Sequence, residues 1–184
     1  QRLQALMAMY QGQAQAAEPE LRQVLETVER AEGGVTARTE PLRRLHAEAL
    51  LRLRRHAEAE AALRLTERQQ VRLSHPQHSS VAITRVLIGC LQARNGDLAG
   101  ARQTWADAST VLAQALGQAH PFALAAAGYA ALAAGNAVAP AADREALARR
   151  IERELGWQDG AATLARLLRA TPAAIDWAQL PVVL

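Results

Sequence analysis

VLIGCLQARNGDLAGARQTWADASTVLAQALGQAH, running from Val86 to His120, is the stretch whose reading decides the fold. Its first part is apolar at helical spacing, carries Gly89 among larger residues and ends at Asn95-Gly96. Asn-Gly ends a helix well because glycine accepts the left-handed conformation without a steric penalty. Asp97 then has the side chain to cap a second helix, and Ala101, Trp105 and Ala108 share one face of that helix. The unit is therefore helix, tight turn, helix, with small residues where the two helices touch.

The unit recurs. Stepping back from Gly96 and Ala101 by 42 residues gives Arg54 and Ala59, and a second step gives Gly12 and Ala17. The large residue of the second helix recurs in register as Leu21, Leu63 and Trp105, and a slimmer one as Val24, Thr66 and Ala108. The close-contact position of the first helix gives Ala5, Ala47 and Gly89. A fourth copy follows at a step of 39: Gly128 after Gly89 and Gly135 after Gly96, with Pro140 at the small anchor. Agreement of several anchors at one spacing marks a helical repeat, in which each unit buries its apolar face only against its neighbours.

Composition agrees. Half the residues are hydrophobic but only 3% are aromatic, and about a quarter are alanine, the strongest helix former and a side chain that lets helices approach closely. No alternating apolar run is long enough for a strand, so the fold class is all-α. Helices are predicted over 1–11, 14–31, 40–53, 56–73, 78–94, 97–116, 121–134, 141–155 and 159–170, with a last short turn capped by Thr171. Pro41, Pro76 and Pro121 are expected in first helical turns, where the missing N–H costs nothing, and Pro19 early enough in its helix to be accommodated.

The quoted stretch, with HAEAEAAL (56–63) and GQAQAAEPEL (12–21), resembles the tetratricopeptide repeat in its 42-residue form, as in kinesin light chains and many bacterial signalling proteins. His75-Pro76 and the run Leu116-Gly117-Gln118-Ala119-His120-Pro121 fit the connection between repeats of that class. The resemblance covers residues 1 to about 135, as copies over 1–32, 40–74, 78–117 and 121–135. It departs from the pattern at Arg54, where a turn glycine is usual, and at Gln92, where a large apolar residue is usual. It implies a right-handed αα superhelix. Residues 136–184 are expected to supply capping helices, with stripes Leu147, Ile151, Leu155 and Leu164, Leu167, Leu168, and an apolar tail in which Ile175, Trp177 and the valines dock on the last helices.

The resemblance also implies that the first helix of each pair lines a concave groove. The inward stripes would be Arg2, Leu6, Met9 and Tyr10; Arg44, Glu48, Leu51 and Arg52; Val86, Cys90, Ala93 and Arg94; and Phe122, Ala125, Tyr129 and Leu132. Such a groove is apolar at both ends with arginines between. Since guanidinium groups recognise carboxylates in a bidentate manner, the expected partner is a protein or peptide with apolar and acidic residues. Replacing Arg44 and Arg52 together by glutamate is expected to weaken binding without unfolding.

Other function classes find little support. No phosphate-cradling glycine loop, HExxH, nucleophile elbow or CxxC is present, so no catalytic residue, cofactor or metal is expected. His75 and His78 flank Pro76 at a helix start, His120 repeats that place, and His46 and His56 are expected on charged helix surfaces. Cys90 reads as a small hydrophobe, Trp105 as core and Gly89 as a close-packing site. Glu58, Glu60 and Glu67 read as solvated helix faces. The net charge of +3 is carried entirely by arginine, without the basic cluster and interleaved aromatics that nucleic acid requires. One cysteine excludes an internal disulfide framework, and no apolar run is long enough to cross a bilayer.

The chain opens at Gln1 rather than at methionine, which implies a piece of a longer protein. The lysine-free, Ala/Arg-rich composition resembles that of a GC-rich bacterium. In bacteria, repeats of this class often end serine/threonine kinases or transcriptional activators, which puts the chain in the cytoplasm, or in the periplasm if the parent is membrane-anchored. The expected role is a non-catalytic interaction scaffold. The alternatives are a homo-oligomerising domain that uses the tail or the 141–170 helices, and the effector module of a transcriptional regulator.

Overall fold

The computed structural model describes residues 4, 7–9, 11–34, 36–134, 140–158, 160–170 and 175–183. Among them are eight α-helices: α1 Ala14–Glu32, α2 Glu40–Arg52, α3 His56–Leu73, α4 Ser79–Arg94, α5 Leu98–Leu116, α6 Pro121–Ala134, α7 Ala141–Leu155 and α8 Ala161–Arg169. A 3-10 turn, Trp177–Gln179, follows. The described residues contain no strand, and these helices begin and end within two residues of the predicted bounds. Residues 7–9 are helical and fall in the predicted 1–11 helix.

The repeat is visible in the backbone of its turns. Gly12, Arg54 and Gly96 have φ of 75°, 61° and 89°. At each, two amides fold back on the helix that ends there. Gln13 N–H reaches the Ala8 carbonyl and Gly12 N–H that of Met9; Arg55 and Arg54 reach Leu50 and Leu51; Asp97 and Gly96 reach Gln92 and Ala93. This is the Schellman geometry, which satisfies carbonyls that have no partner inside the helix. Arg54 is thus no exception to the turn: it takes the conformation glycine would take, the only non-glycine among the described residues to do so.

Caps and prolines follow local chemistry, with two differences from expectation. Asp97 accepts the Gly100 N–H at 2.9 Å, Pro41 sits in the first turn of α2, and α6 begins at Pro121. Pro76, however, lies in the turn before α4, and His78 caps that helix by accepting the Ser80 N–H at 3.2 Å. Pro19 is the sixth residue of α1, beyond the first turn, so Gln15 loses the amide that an ordinary residue would offer its carbonyl. The predicted cap Thr171 lies outside the described residues; the described 3-10 turn is capped by Asp176, which accepts the Ala178 N–H at 3.1 Å.

The chain forms two compact units, Gln1–Pro76 and Gln77–Leu184. The compositional shift after Gly135 falls inside the second. In the first, α1 packs on α2 and α2 on α3. Met9, Ala14, Ala17, Leu21 and Ala49 form an apolar cluster there, and Ala47, Ala59 and Leu63 are buried. Glu18 of α1 is buried yet charged. It meets His46 Nε2 of α2 at 3.0 Å and Arg55, just before α3, at 3.2 Å. Burial pushes the Glu18 carboxyl up, but the His46 hydrogen bond and the Arg55 charge outweigh it and hold the group below its ordinary range. His46 is therefore half-buried in a polar clasp between helices, and not on an open surface.

In the second unit the packing is sequential: α4 on α5, α5 on α6, α6 on α7 and α8, α7 on α8. Gly89 lets Trp105 lie against α4. A Cβ built at Gly89 would stand 2.7 Å from the indole Cδ1 and 2.8 Å from Cε2. Trp105 is fully buried and its indole N–H donates to the Val86 carbonyl at 3.1 Å, which settles the one polar atom of a large apolar group. Gly128, the copy of Gly89, plays the same part toward the C-terminal pair: a Cβ there would stand 2.9 Å from Ile151 Cδ1 of α7 and 3.2 Å from Leu164 Cδ2 of α8.

Candidate functional site

α4 is buried on more than one side. Val81 to Thr84, Val86 to Leu91 and Ala93 are all buried, whereas α3 buries only Ala59, Leu63, Thr66 and Gln70. A helix buried all round must be covered on several faces. One cover is α5. Another is the tail, whose 3-10 turn packs on α4.

The tail is extended apart from that turn, and polar contacts to its main chain hold it. Arg94, at the C-terminal end of α4, donates from Nη2 to the Leu180 carbonyl at 2.5 Å. The Tyr129 hydroxyl of α6 donates to the Pro181 carbonyl at 2.8 Å and accepts the Val183 N–H at 2.8 Å. One hydroxyl thus satisfies a donor and an acceptor two residues apart on an extended strand of chain. Leu180 and Val183 are fully buried and Val182 nearly so. Pro181 and Val183 pass over Gly160 at the start of α8, where a Cβ would stand 3.0 Å from Pro181 Cβ. Trp105 stacks on Tyr129 with ring centroids 5.2 Å apart and on Trp177 at 6.4 Å. The tail therefore docks, but on α4, α6 and the first residue before α8, reaching further back in the chain than the last helices.

The predicted groove residues fall into four groups, the last of them on α2. Arg2, Leu6 and Tyr10 lie outside the described residues. Met9, Leu51, Val86, Cys90, Ala93, Ala125 and Leu132 are buried, and Phe122 is half-buried with its ring 5.3 Å from that of His120. Arg94 and Tyr129 are brought together by the tail they hold.

On α2, Glu48 is buried and accepts from Arg52 Nε at 3.1 Å and Nη2 at 2.8 Å. Burial pushes the Glu48 carboxyl above its ordinary range, against the attraction of Arg52 and Arg44. Arg52 thus meets a carboxylate inside its own helix. Glutamate at position 52 would set a second carboxylate beside a buried one, so the joint Arg44 and Arg52 substitution would destabilise the fold as well as change the surface.

Of the predicted surface carboxylates, Glu58 pairs with Arg55 and Glu60 and Glu67 with Arg64. Other surfaces of the second unit offer less. A hollow of about 310 Å³ is bordered by Arg85, Asp107, Thr110 and Gln114 among others, and one of about 220 Å³ by Ser109, Leu124, Leu147 and Arg150 among others. Among the described residues no cluster of His, Cys, Asp or Glu has the form of a metal site, and no helix is long and apolar enough to cross a membrane.

Sequence reasoning singled out Arg94 and Tyr129 but missed what meets them, and it missed the Glu18, His46 and Arg55 clasp. The only signal for the first was the apolar character of the chain end. No family model matches the chain, and no curated protein matches it at a significant level.

Proposed function

We propose that the chain is a non-catalytic protein-interaction module of tetratricopeptide-like helix pairs, forming a right-handed αα superhelix whose first helices receive a peptide or protein. Its context would be a regulatory or docking region of a larger bacterial signalling protein such as a serine/threonine kinase. The observation that supports this reading is the tail on α4 and α6: an extended segment held through its carbonyls and one amide by Arg94 and Tyr129. Main-chain hydrogen bonds to an extended segment, with pockets for its side chains, are one recurring mode of peptide recognition. The 42-residue recurrence of the turn geometry at Gly12, Arg54 and Gly96 supports the repeat reading.

The test is selection of peptides from a displayed library against the full chain, followed by fluorescence anisotropy. Selected peptides should lose affinity when Arg94 is replaced by alanine or Tyr129 by phenylalanine. Peptides that bind both variants as they bind the parent would refute this face as the binding site.

A further inference from the structure

The tail makes the contacts of a ligand. Its described residues, 175–183, have no helix beyond the three-residue turn Trp177–Gln179, so their path is set by the face they lie on. Arg94 and Tyr129 donate to the tail's main-chain carbonyls, and Tyr129 also accepts its Val183 N–H; such contacts accept any extended sequence. What selects sequence is the burial of Leu180, Val182 and Val183 and the absence of any charged side chain among residues 177–183.

We propose that the α4/α6 face is a site for an uncharged, extended segment with a large aliphatic residue followed by proline and two β-branched residues, and that the chain's own tail is its resident occupant. A partner segment of that chemistry gains the site by displacing the tail, so the tail sets the threshold for partner binding. This rests on the interaction-module reading above. A tethered segment competes at an effective concentration on the order of millimolar, so a site filled by its tail nine-tenths of the time shows about one tenth of its intrinsic affinity to a free peptide.

The experiment uses the full chain and a fluorescein-labelled peptide of Ile175–Val183. Leu180→Asp with Val183→Asp frees the tail and leaves α4 and α6 unaltered. This tail-released chain should bind the labelled peptide about tenfold more tightly than the parent. Adding Tyr129→Phe should weaken that binding by roughly tenfold, because two hydrogen bonds are lost. Equal binding by parent and tail-released chains would overturn the tail as occupant while leaving the site standing. No binding by a tail-released chain of unchanged helix content would overturn both the occupant and the interaction reading at this face. Loss of helical circular dichroism on releasing the tail would make the tail part of the core and overturn its role as a displaceable occupant.

Discussion

Gly89→Ala sets two effects of opposite sign against each other. Alanine in a helix interior is favoured over glycine by about 1 kcal/mol, so helix propensity alone predicts a stabilised protein. At this site the new methyl would stand 2.7 and 2.8 Å from Trp105 Cδ1 and Cε2. The ring has little room to give way: its N–H is bonded to the Val86 carbonyl, and Tyr129 and Trp177 stack against it. Overpacking of this kind costs about 1–3 kcal/mol, and a buried indole N–H pulled off its acceptor adds about 1–3 kcal/mol. Less the propensity gain of about 1 kcal/mol, the net destabilisation is about 1–5 kcal/mol.

The assay is urea unfolding followed by tryptophan emission. All three tryptophans, Trp105, Trp157 and Trp177, lie in the second unit, so the signal reports that unit. With a urea slope of about 2 kcal/mol/M the midpoint should fall by about 0.5–2.5 M. Gly128→Ala is the companion. Its methyl would meet the ends of Ile151 and Leu164, 2.9 and 3.2 Å away, which can turn aside, so its stability should stay within about 1 kcal/mol of the parent. A midpoint for Gly89→Ala equal to or above the parent's would refute the close Gly89–Trp105 packing and the register built on it.

The remaining predictions concern the tail, the turn and the acid limb. Tyr129→Phe keeps the ring stacked on Trp105 but removes the hydroxyl that serves Pro181 and Val183. Hydrogen exchange of the Val183 amide should speed up by about tenfold or more, a loss of about 1–3 kcal/mol, and unchanged protection would contradict the tail contacts. Arg54→Gly relieves a left-handed residue (φ 61°) and should stabilise the first unit by about 1 kcal/mol, read by circular dichroism during thermal unfolding; a lower melting temperature would show that the arginine side chain outweighs its backbone strain.

Hydrogen bonds from Arg169 and then Arg149 hold the Glu145 carboxyl down to about 2. A depressed carboxylate stabilises the fold above the ordinary value of 4.5 and loses that contribution as pH falls toward 2. Parent and Glu145→Gln should therefore differ in urea midpoint at pH 6 and converge near pH 2. The gap should narrow in 1 M salt, where the pair is screened. A gap that is constant across that range would exclude the ion pair as its cause.

Local chemistry carried the sequence a long way. The helix ends, the 42-residue register and the contact of Gly89 with the second-helix anchor all rest on interactions within one or two helices. Periodicity, turn geometry and side-chain size therefore display them directly. Arg54 shows the limit of reading residue types alone: arginine there looked like a break in the repeat, yet the Schellman hydrogen bonds hold it in the glycine conformation.

Tertiary structure alone decided where the tail lies and what Arg94, Tyr129 and His46 touch. The tail contacts join residues 86, 52 and 54 positions apart, and the Glu18–His46 pair spans 28. An extended segment has no helical period to announce its partner. A hydrogen bond to a main-chain carbonyl leaves no mark on the residue that supplies it. The apolar tail could be recognised as something to be buried; the face that buries it existed only once α4 and α6 had packed on α5.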